Sequence, residues 1–461
     1  MLKIYNTLSG KKEAVTLKKG KAVQLFVCGP TVYDYSHLGH ARTYIAFDVI
    51  VKYLKEKGYK VFYLQNITDI DDKIIQRAQK RGISAEKLAQ DFEKEYLKDM
   101  KFLRVDSVTK YARATDYLKE IISQIIMLKD KGFAYQIADG IYYDISKFKN
   151  YGKLSRRTAI QAEDAISRID ESKEKKNRGD FCLWKFAPHR TESSGAGVFE
   201  PSWPSPFGRG RPGWHIEDTA ITQKFFGTQY DMHGGAKDLI FPHHEAEIAQ
   251  MEAISGKRPV VQYWIHTGFL TVNGKKMSKS LDNFITIQDF IKKYSARILK
   301  FLVVKNYYRS PMDYTESSVA QAKKELARID EFISGGRISP LILGEVRPPN
   351  IRKFEKQFAE AMDDDFNTPK VTAVIFELMK EKEINSADAL KFLKKIDRIL
   401  GFIFWPKFKE KIPESVLNLV KRREKARKDG LWQEADRIRN KITELGWQIE
   451  DTKTGPKLKK S

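Results

Sequence analysis

The sequence predicts an α/β protein: a parallel sheet with helices on both faces, followed by an all-α C-terminal region. Three observations carry this expectation. An apolar run rich in β-formers, Ala22 to Cys28, stops at Gly29-Pro30. A helical pattern, a second strand candidate and a second helix follow in turn, an order that closes as a parallel sheet. Beyond Ile285, apolar residues recur at helical spacing almost to the end of the sequence.

Taken in order, Ala22-Val23-Gln24-Leu25-Phe26-Val27-Cys28 reads as a buried strand followed by a turn. From about His40 to Lys57, Ile45, Val49, Val51 and Leu54 mark a helix that Gly58 closes. Lys60 to Ile67 is the second strand candidate, and another helix is expected from Asp69. Ligands of such sheets sit outside the carboxyl ends of the strands, where Cys28 and Thr68 both fall. Residues 170–213 hold the charged run Glu171 to Lys176 and a Gly/Ser/Pro-rich stretch, and read as surface loops and an insertion. Strand signals return at Leu239-Ile240-Phe241 and from Val260 to Ile265. Pro348-Pro349 reads as a linker, and the polar, basic tail from Thr452 as frayed.

The 461 residues allow two to four domains at ~100–200 residues each. An apolar fraction of 41% with 31% charged residues excludes a disordered chain. No apolar run approaches the ~20 residues that span a bilayer, and Met1 to Asn6 lacks the apolar stretch of a signal peptide. A cytoplasmic protein without a membrane partner is expected. The two cysteines, Cys28 and Cys182, exclude a disulfide scaffold; Cys182, between Phe181 and Leu183-Trp184, reads as core. The net charge of +23 favours a polyanionic partner, most simply nucleic acid, unless all proteins of the source are lysine-rich. Residues 421–461 concentrate the excess, with 13 Lys/Arg against 7 Asp/Glu.

Two constellations carry chemistry. In the first, Cys28-Gly29-Pro30-Thr31-Val32-Tyr33-Asp34-Tyr35-Ser36-His37-Leu38-Gly39-His40, two histidines flank a Leu-Gly pair where a strand's exit loop meets a helix start. A helix N-terminus offers unpaired N–H groups and the positive end of its dipole, so it attracts phosphate. Two imidazoles add donors, and Gly39 permits close approach. Alone, His-x-x-His reads as readily as a metal site or surface decoration. The second, Gly274-Lys275-Lys276-Met277-Ser278-Lys279-Ser280, follows the hairpin-like Gly268 to Asn273. Lys276 and Lys279 on a glycine-led loop would place ammonium charge on a nucleotide's phosphates, whereas a lysine run alone is more commonly a solvated surface.

Together, His37-Leu38-Gly39-His40 and Lys276-Met277-Ser278-Lys279-Ser280 resemble the two signatures of class I aminoacyl-tRNA synthetases. Cys28 to Asp34, Asn66-Ile67-Thr68-Asp69-Ile70-Asp71-Asp72, Gly213-Trp214-His215-Ile216-Glu217, Phe241-Pro242-His243-His244-Glu245 and Asp364-Asp365-Phe366-Asn367-Thr368-Pro369 narrow the resemblance to cysteinyl-tRNA synthetases, over nearly the whole chain. It implies a Rossmann-like catalytic domain over 1–310 with an inserted segment at about 110–215. A stem-contact junction would cover 311–345 and a helical anticodon-binding region 346–461. It implies a two-step ligase that makes cysteinyl-adenylate and pyrophosphate from cysteine and ATP, then charges the terminal adenosine of tRNA(Cys), as a monomer. ATP would meet Thr31, His37, Gly39, His40, Gly235, Asp238 and Lys279, with Mg²⁺ accompanying it. Lys276 would assist Lys279, and His37 and His40 would contact the phosphates. Cys28, Thr68 and Trp214 would line the amino-acid pocket. The rival enzyme is a related ligase that joins activated cysteine to an amino-sugar. A degenerate paralogue that only binds nucleic acid is the rival of another class.

The resemblance further implies a zinc ion that grips the substrate thiol, held by Cys28, position 218, His243 and Glu247. His243 and Glu247, four apart, share a helix face. Zinc accepts S, N and O ligands, and a thiolate binds it far better than a serine hydroxyl, which supplies a selectivity a hydrophobic pocket lacks. Here the family's cysteine at 218 is Asp218, which keeps the charge but exchanges soft sulfur for hard oxygen. A weak or metal-free site stays open. His244 reads as structural or as support for the ligands. Ala236 stands where the family has glycine, which a negative φ would tolerate, and the 190–200 stretch is an insertion relative to the family pattern.

Overall fold

The computed structural model describes residues 1–17, 20–157, 172–187, 200–278, 281–334, 351–381, 386–405, 413–452 and 455–460. The chain divides into two compact units, Met1–Phe404 and Trp405–Ser461. The first unit opens with a hairpin, β1 (Lys3–Asn6) and β2 (Lys11–Ala14). There follow β3 (Val23–Val27), α1 (Leu38–Glu56), β4 (Val61–Ile67), α2 (Asp72–Arg81), α3 (Ala85–Phe102), β5 (Lys110–Arg113) and α4 (Leu118–Asp130). An antiparallel sheet of β6 (Ala134–Ile137), β7 (Gly140–Tyr143), β8 (Phe181–Phe186) and β9 (Gly210–Pro212) comes next. The chain then returns through α5 (Trp214–Phe226), β10 (Tyr230–Ala236), α6 (Glu245–Ser255) and β11 (Val261–Thr267).

The central sheet runs β11-β10-β3-β4-β5, and every pairing in it is parallel. Strand order reverses between β3 and β10, which opens the crevice in which sheets of this kind bind ligands. One core joins Phe26, Leu64 and Trp264 of the sheet to Ile216, Ile221 and Ile248 of α5 and α6. Helix α1 is apolar nearly all round because it is covered from several sides: it packs on β4, β10 and β11, and also on α8 (Ala296–Val304) and α12 (Ser386–Leu400). A small sheet sets β12 (Leu270–Val272) between its hairpin partner β13 (Lys275–Lys276) and the parallel β14 (Met312–Tyr314). Helices α7 (Ile287–Lys293) and α8 precede β14; α9 (Glu316–Ile333), α10 (Arg352–Asp363), α11 (Thr368–Leu378) and α12 follow it.

The second unit holds α13 (Glu414–Lys428), α14 (Trp432–Glu444) and a hairpin of β15 (Trp447–Thr452) and β16 (Gly455–Lys460). Val416, Ile438, Ile442, Trp447 and Ile449 form its core.

Several expectations need correction. The second helix starts at Asp72, because the Asp71 carboxylate caps the Lys73 N–H at 2.8 Å. Asp69 instead accepts from the Thr115 backbone and hydroxyl. Leu239-Ile240-Phe241 is no strand: Leu239 ends the short turn Lys237–Leu239, Ile240 is helical, and Phe241 is extended at φ −136° and ψ 132°, a kink in the passage that leads into α6. The missing strand is β10, whose Gly234-Gly235 gives no β signal. The 170–213 stretch is not loop alone, since it supplies β8 and β9. The tail from Thr452 is not frayed where described, since β16 pairs with β15. Pro348-Pro349 and most of the 190–200 insertion lie outside the described residues.

Candidate active site

The crevice is built from strand ends. Cys28 follows β3 and donates its N–H to the Gly234 carbonyl of β10 at 3.0 Å. Gly29 donates to Asn66 Oδ1 at 2.6 Å, and a Cβ on Gly29 would fall 1.7 Å from the Asn66 carbonyl oxygen, so only glycine fits. Thr68, just past β4, bridges back to Thr31. Its hydroxyl donates to Glu217 Oε2 at 2.8 Å and accepts from Asn66 Nδ2 at 3.3 Å. Trp214, 37% exposed, stacks on His243 with ring centroids 4.2 Å apart. Thr31, Asp71, Arg211, Trp214 and His215 line a cavity of about 140 Å³ there. A larger groove of about 710 Å³ lies at the amino ends of β3 and β10, by Val23, Gln24 and Tyr230, away from these groups.

Cys28, Asp218, His243 and Glu247 converge from β3, α5, the turn before α6, and α6; all four are buried, with ligand atoms within 4.8 Å of one another. The Cys28 thiol donates to Asp218 Oδ2 at 3.3 Å, and His243 Nε2 stands 3.0 Å from that oxygen and 3.2 Å from Glu247 Oε1. A second quartet, Cys28, His233, His244 and Glu247, shares two of these ligands, with His244 Nε2 3.0 Å from the Cys28 sulfur. His266 in turn meets His244 at 2.8 Å.

These residues fit a divalent cation. Glu217, Asp218 and Glu247 are buried together, and among the described residues no lysine or arginine pairs with any of them. Among the described residues, Asp218 Oδ1 has no hydrogen-bond partner. Burial, then Asp218, pushes the Glu247 carboxyl well up; burial, then Asp218 and Glu247, does the same to the Cys28 thiol. Burial first pulls His233 and His244 down, so they present neutral imidazole, the ligand form. A cation in this nest offsets the anionic charge that the protein itself leaves unbalanced.

The histidine pair is different in kind. His37 caps α1, its Nδ1 accepting from Gly39 N at 3.1 Å and His40 N at 3.4 Å, while His40 Nδ1 accepts from His37 N at 3.3 Å. The rings stack at 3.8 Å. Since both Nδ1 atoms accept, each neutral ring carries its proton on Nε2. Burial, then His37, holds His40 below the usual imidazole range and so neutral. The N–H groups of Leu38, Gly39 and His40 are all used within the protein, Leu38 on the Ile285 carbonyl at 3.2 Å. The expectation of open helix N–H groups is thereby corrected, since these donors are spent within the protein. Lys276 is exposed in β13, and Met277 lies over Gly39, its Cε 3.8 Å from where a Cβ would sit. Lys279 lies outside the described residues.

The structure thus brings Cys28, Thr68, Trp214, Asp218, His243 and Glu247 together at one end of the crevice, and His37, Gly39 and His40 at the start of the first crossover helix. Gly235 lies in β10, while Asp238 is exposed on the turn beyond it. Ala236 has φ −80°, so alanine sits there without strain. Cys182 is buried as expected. Glu217, His233, His266 and Arg42 were not singled out from the sequence. A histidine beside a Gly-Gly pair and an arginine in an apolar helix were the available signals.

Comparison with known proteins gives the class first. The sequence model for the tRNA synthetases class I (C) catalytic domain matches residues 14–324. The fold is shared with Agrobacterium radiobacter LeuRS solved with tRNA and LeuAMS, at TM-score 0.61 and 11% identity over 84% of both chains. It is shared too with Mycobacterium tuberculosis methionyl-tRNA synthetase bound to methionyl-adenylate, at TM-score 0.55 and 15% identity over 83% of this chain and 88% of that one. The fold is thus that of a class I aminoacyl-tRNA synthetase. A DALR domain matches 357–404, and the cysteinyl-tRNA ligase anticodon binding domain matches 409–455. Cysteine–tRNA ligases of Thermococcus gammatolerans and of Methanococcus maripaludis strain S2 are each 44% identical to the chain, the first over 98% of both sequences, the second over 100% of this chain and 99% of the relative. The chain belongs to the cysteine–tRNA ligase family.

Proposed function

We propose that this chain activates cysteine with ATP and charges the terminal adenosine of its tRNA, with Cys28, Asp218, His243 and Glu247 holding one zinc ion in the amino-acid pocket. The observation that carries the reading is the convergence of those four buried side chains beside Thr68 and Trp214, with His37 and His40 at the start of the helix that follows the strand of Cys28. Bound there, zinc would supply a Lewis-acid partner for the substrate thiolate, which a serine hydroxyl matches poorly. The anticodon-binding match at 409–455 speaks for a tRNA rather than an amino-sugar acceptor.

Activation is in-line attack of the substrate carboxylate on the α-phosphate, with pyrophosphate leaving, so positioning and charge stabilisation dominate. The Nε2–H groups of His37 and His40 donate to phosphate oxygens. Lys276 and Lys279 neutralise the leaving pyrophosphate, with Mg²⁺ accompanying ATP. Thr31 and Gly235 border the nucleotide, and Asp238 accepts from its ribose hydroxyls. Thr68 and Trp214 close the amino-acid pocket. The catalytic domain is assigned to 1–310 with its insertion at about 110–215, the stem-contact junction to 311–345 and the anticodon-binding region to 346–461, in a cytoplasmic monomer.

The test is cysteine-dependent ATP–pyrophosphate exchange, with and without tRNA, alongside metal analysis of protein purified without chelators. Exchange, tRNA charging and one zinc per chain support the reading. Exchange without charging would restore the amino-sugar reading, no exchange would leave a binding paralogue, and full charging without stoichiometric metal would remove the zinc.

A further inference from the structure

Arg42 lies on α1 two residues beyond His40, and it is 2% exposed. Its guanidinium reaches no carboxylate among the described residues. Nη1 donates to the Phe269 carbonyl, and Nη2 donates to the carbonyls of Ser310 and, at 3.3 Å, Tyr308. Burial lowers its pKa to about 10, which still leaves it charged at neutral pH. A buried cation satisfied only by backbone dipoles is expensive to maintain, so its geometric task needs a reason.

The three carbonyls mark the root of the lysine hairpin. Phe269 leads into β12, while Tyr308 and Ser310 belong to the turn before β14. Gly268 N donates to Tyr308 O at 2.8 Å and Met312 N to Phe269 O at 2.9 Å. A Cβ on Gly268 would fall 2.4 Å from Ser310 O and 2.6 Å from Arg309 O, so nothing larger than glycine fits. One residue earlier, the Thr267 and Thr43 hydroxyls meet at 2.9 Å and tie the same root to α1. Beyond the loop the chain is pinned again: Ile287 N donates to Ser36 O at 2.8 Å, and Thr286 bridges to His37. The lysine segment therefore spans two anchors on the element that carries both histidines.

We infer that Arg42 is a positioning residue for cysteine activation, fixing the root of the lysine hairpin against α1 so that Lys276 and His37/His40 address one triphosphate. The inference rests on the assignment of those groups to ATP. Arg42 touches no substrate. Its planar fork spans carbonyls from two segments, whereas a lysine ammonium, a compact point charge, does not reproduce that reach.

The experiment is Arg42→Lys in the full chain. The expected result is a kcat for ATP–pyrophosphate exchange at least tenfold lower, with the KM for cysteine and the bound metal within twofold of wild type and an unchanged melting temperature. A folded Arg42→Lys protein with wild-type kcat would overturn the inference. Should that variant not fold, Gly268→Ala strains the junction from its other side and should give the same split; wild-type kcat there overturns it equally. In the wild-type chain, the Gly268 and Met312 amides should resist hydrogen exchange as strongly as the middle of α1, and surface-like exchange would also overturn it. His40→Ala, run in parallel, separates the underlying assignment: wild-type exchange in that variant defeats the ATP reading itself, whereas an inactive His40→Ala beside a fully active Arg42→Lys defeats only the role given to Arg42.

Discussion

The Cys28 thiol stands 3.3 Å from Asp218 Oδ2, and the same carboxylate oxygen is 3.0 Å from His243 Nε2. One oxygen thus faces both a soft and a borderline donor at the position where the resemblance implies a second sulfur. Removal of one ligand in four should matter more than its softness. Asp218→Ala is expected to weaken metal retention at least tenfold in a chelator competition, while Asp218→Cys retains the ion as well as wild type or better. Equal retention by wild type and Asp218→Ala would place the ion on the other quartet, with His233 and His244.

His37 has two tasks on two atoms. Nδ1 caps α1, and in the proposed reading Nε2–H donates to phosphate. His37→Asn keeps a good N-cap and removes the second donor, so exchange should slow by about 10²–10³ with little change in melting temperature. His37→Ala removes both and should cost a further ~1 kcal/mol of stability. Exchange rates and thermal melts on the pair separate the tasks; equal stability of the two variants would deny the capping role.

Buried deeper, Lys300 Nζ is 3.3 Å from Asp48 Oδ2, and neither side chain is exposed. The pair is lopsided. Burial works against the Asp48 carboxylate, yet Lys300, Lys52 and the Ser107 hydroxyl together hold it below its usual range. Burial pulls Lys300 down despite Asp48, and Lys52 adds repulsion. Lys300 also donates to the Leu103 and Arg104 carbonyls at 3.1 and 2.8 Å, so it ties α8 to the end of α3. Lys300→Met leaves Asp48 with Lys52 at 2.8 Å as its remaining cation and is expected to cost about 1–3 kcal/mol. Because the folded Asp48 carboxyl sits below its unfolded value of about 3.9, its contribution is present above that pH and fades as pH falls through the folded value. Melting temperature against pH from 7 to 3 should therefore fall less steeply in Asp48→Asn, which starts lower, than in wild type.

How legible all this was depended on the distance over which each signal acts. Strands β3, β4 and β11 and helix α1 were readable because their apolar patterns are local and strong. Strand β10 was not, because His233-Gly234-Gly235 is shaped by neighbours: a Cβ on Gly234 would fall 2.2 Å from the Phe47 ring. The ligand quartet was reachable only through resemblance, since nothing in composition links Cys28 to residues about 190 to 220 positions away. The histidine tautomers and the carbonyl clasp of Arg42 are invisible in sequence, because they rest on backbone groups that every residue has.

The last prediction concerns Trp405–Ser461. This unit carries its own core, and Arg423 clasps the Asp451 carboxylate with two hydrogen bonds of 2.9 Å. Two of its tryptophans part company: Trp447 is buried at 7% exposure, whereas Trp432 is 61% exposed with the Arg427 guanidinium 5.9 Å from its ring. An exposed aromatic beside cations suits stacking on an unpaired base, and unpaired bases are where RNA sequence is usually read. The buried cluster and the paired histidines lie entirely within Met1–Phe404. Deletion of residues 405–461 should therefore leave cysteine-dependent exchange within a few-fold of wild type. Charging of tRNA should fall at least tenfold, which corresponds to ~1.4 kcal/mol in the barrier. Trp432→Ala in the full chain should reproduce part of that loss, about 1–3 kcal/mol in tRNA affinity, without altering exchange. The affinity of the full chain should also fall steeply with salt, as phosphate contacts require. A folded truncation that charges tRNA as well as the full chain would deny this unit its role in recognition.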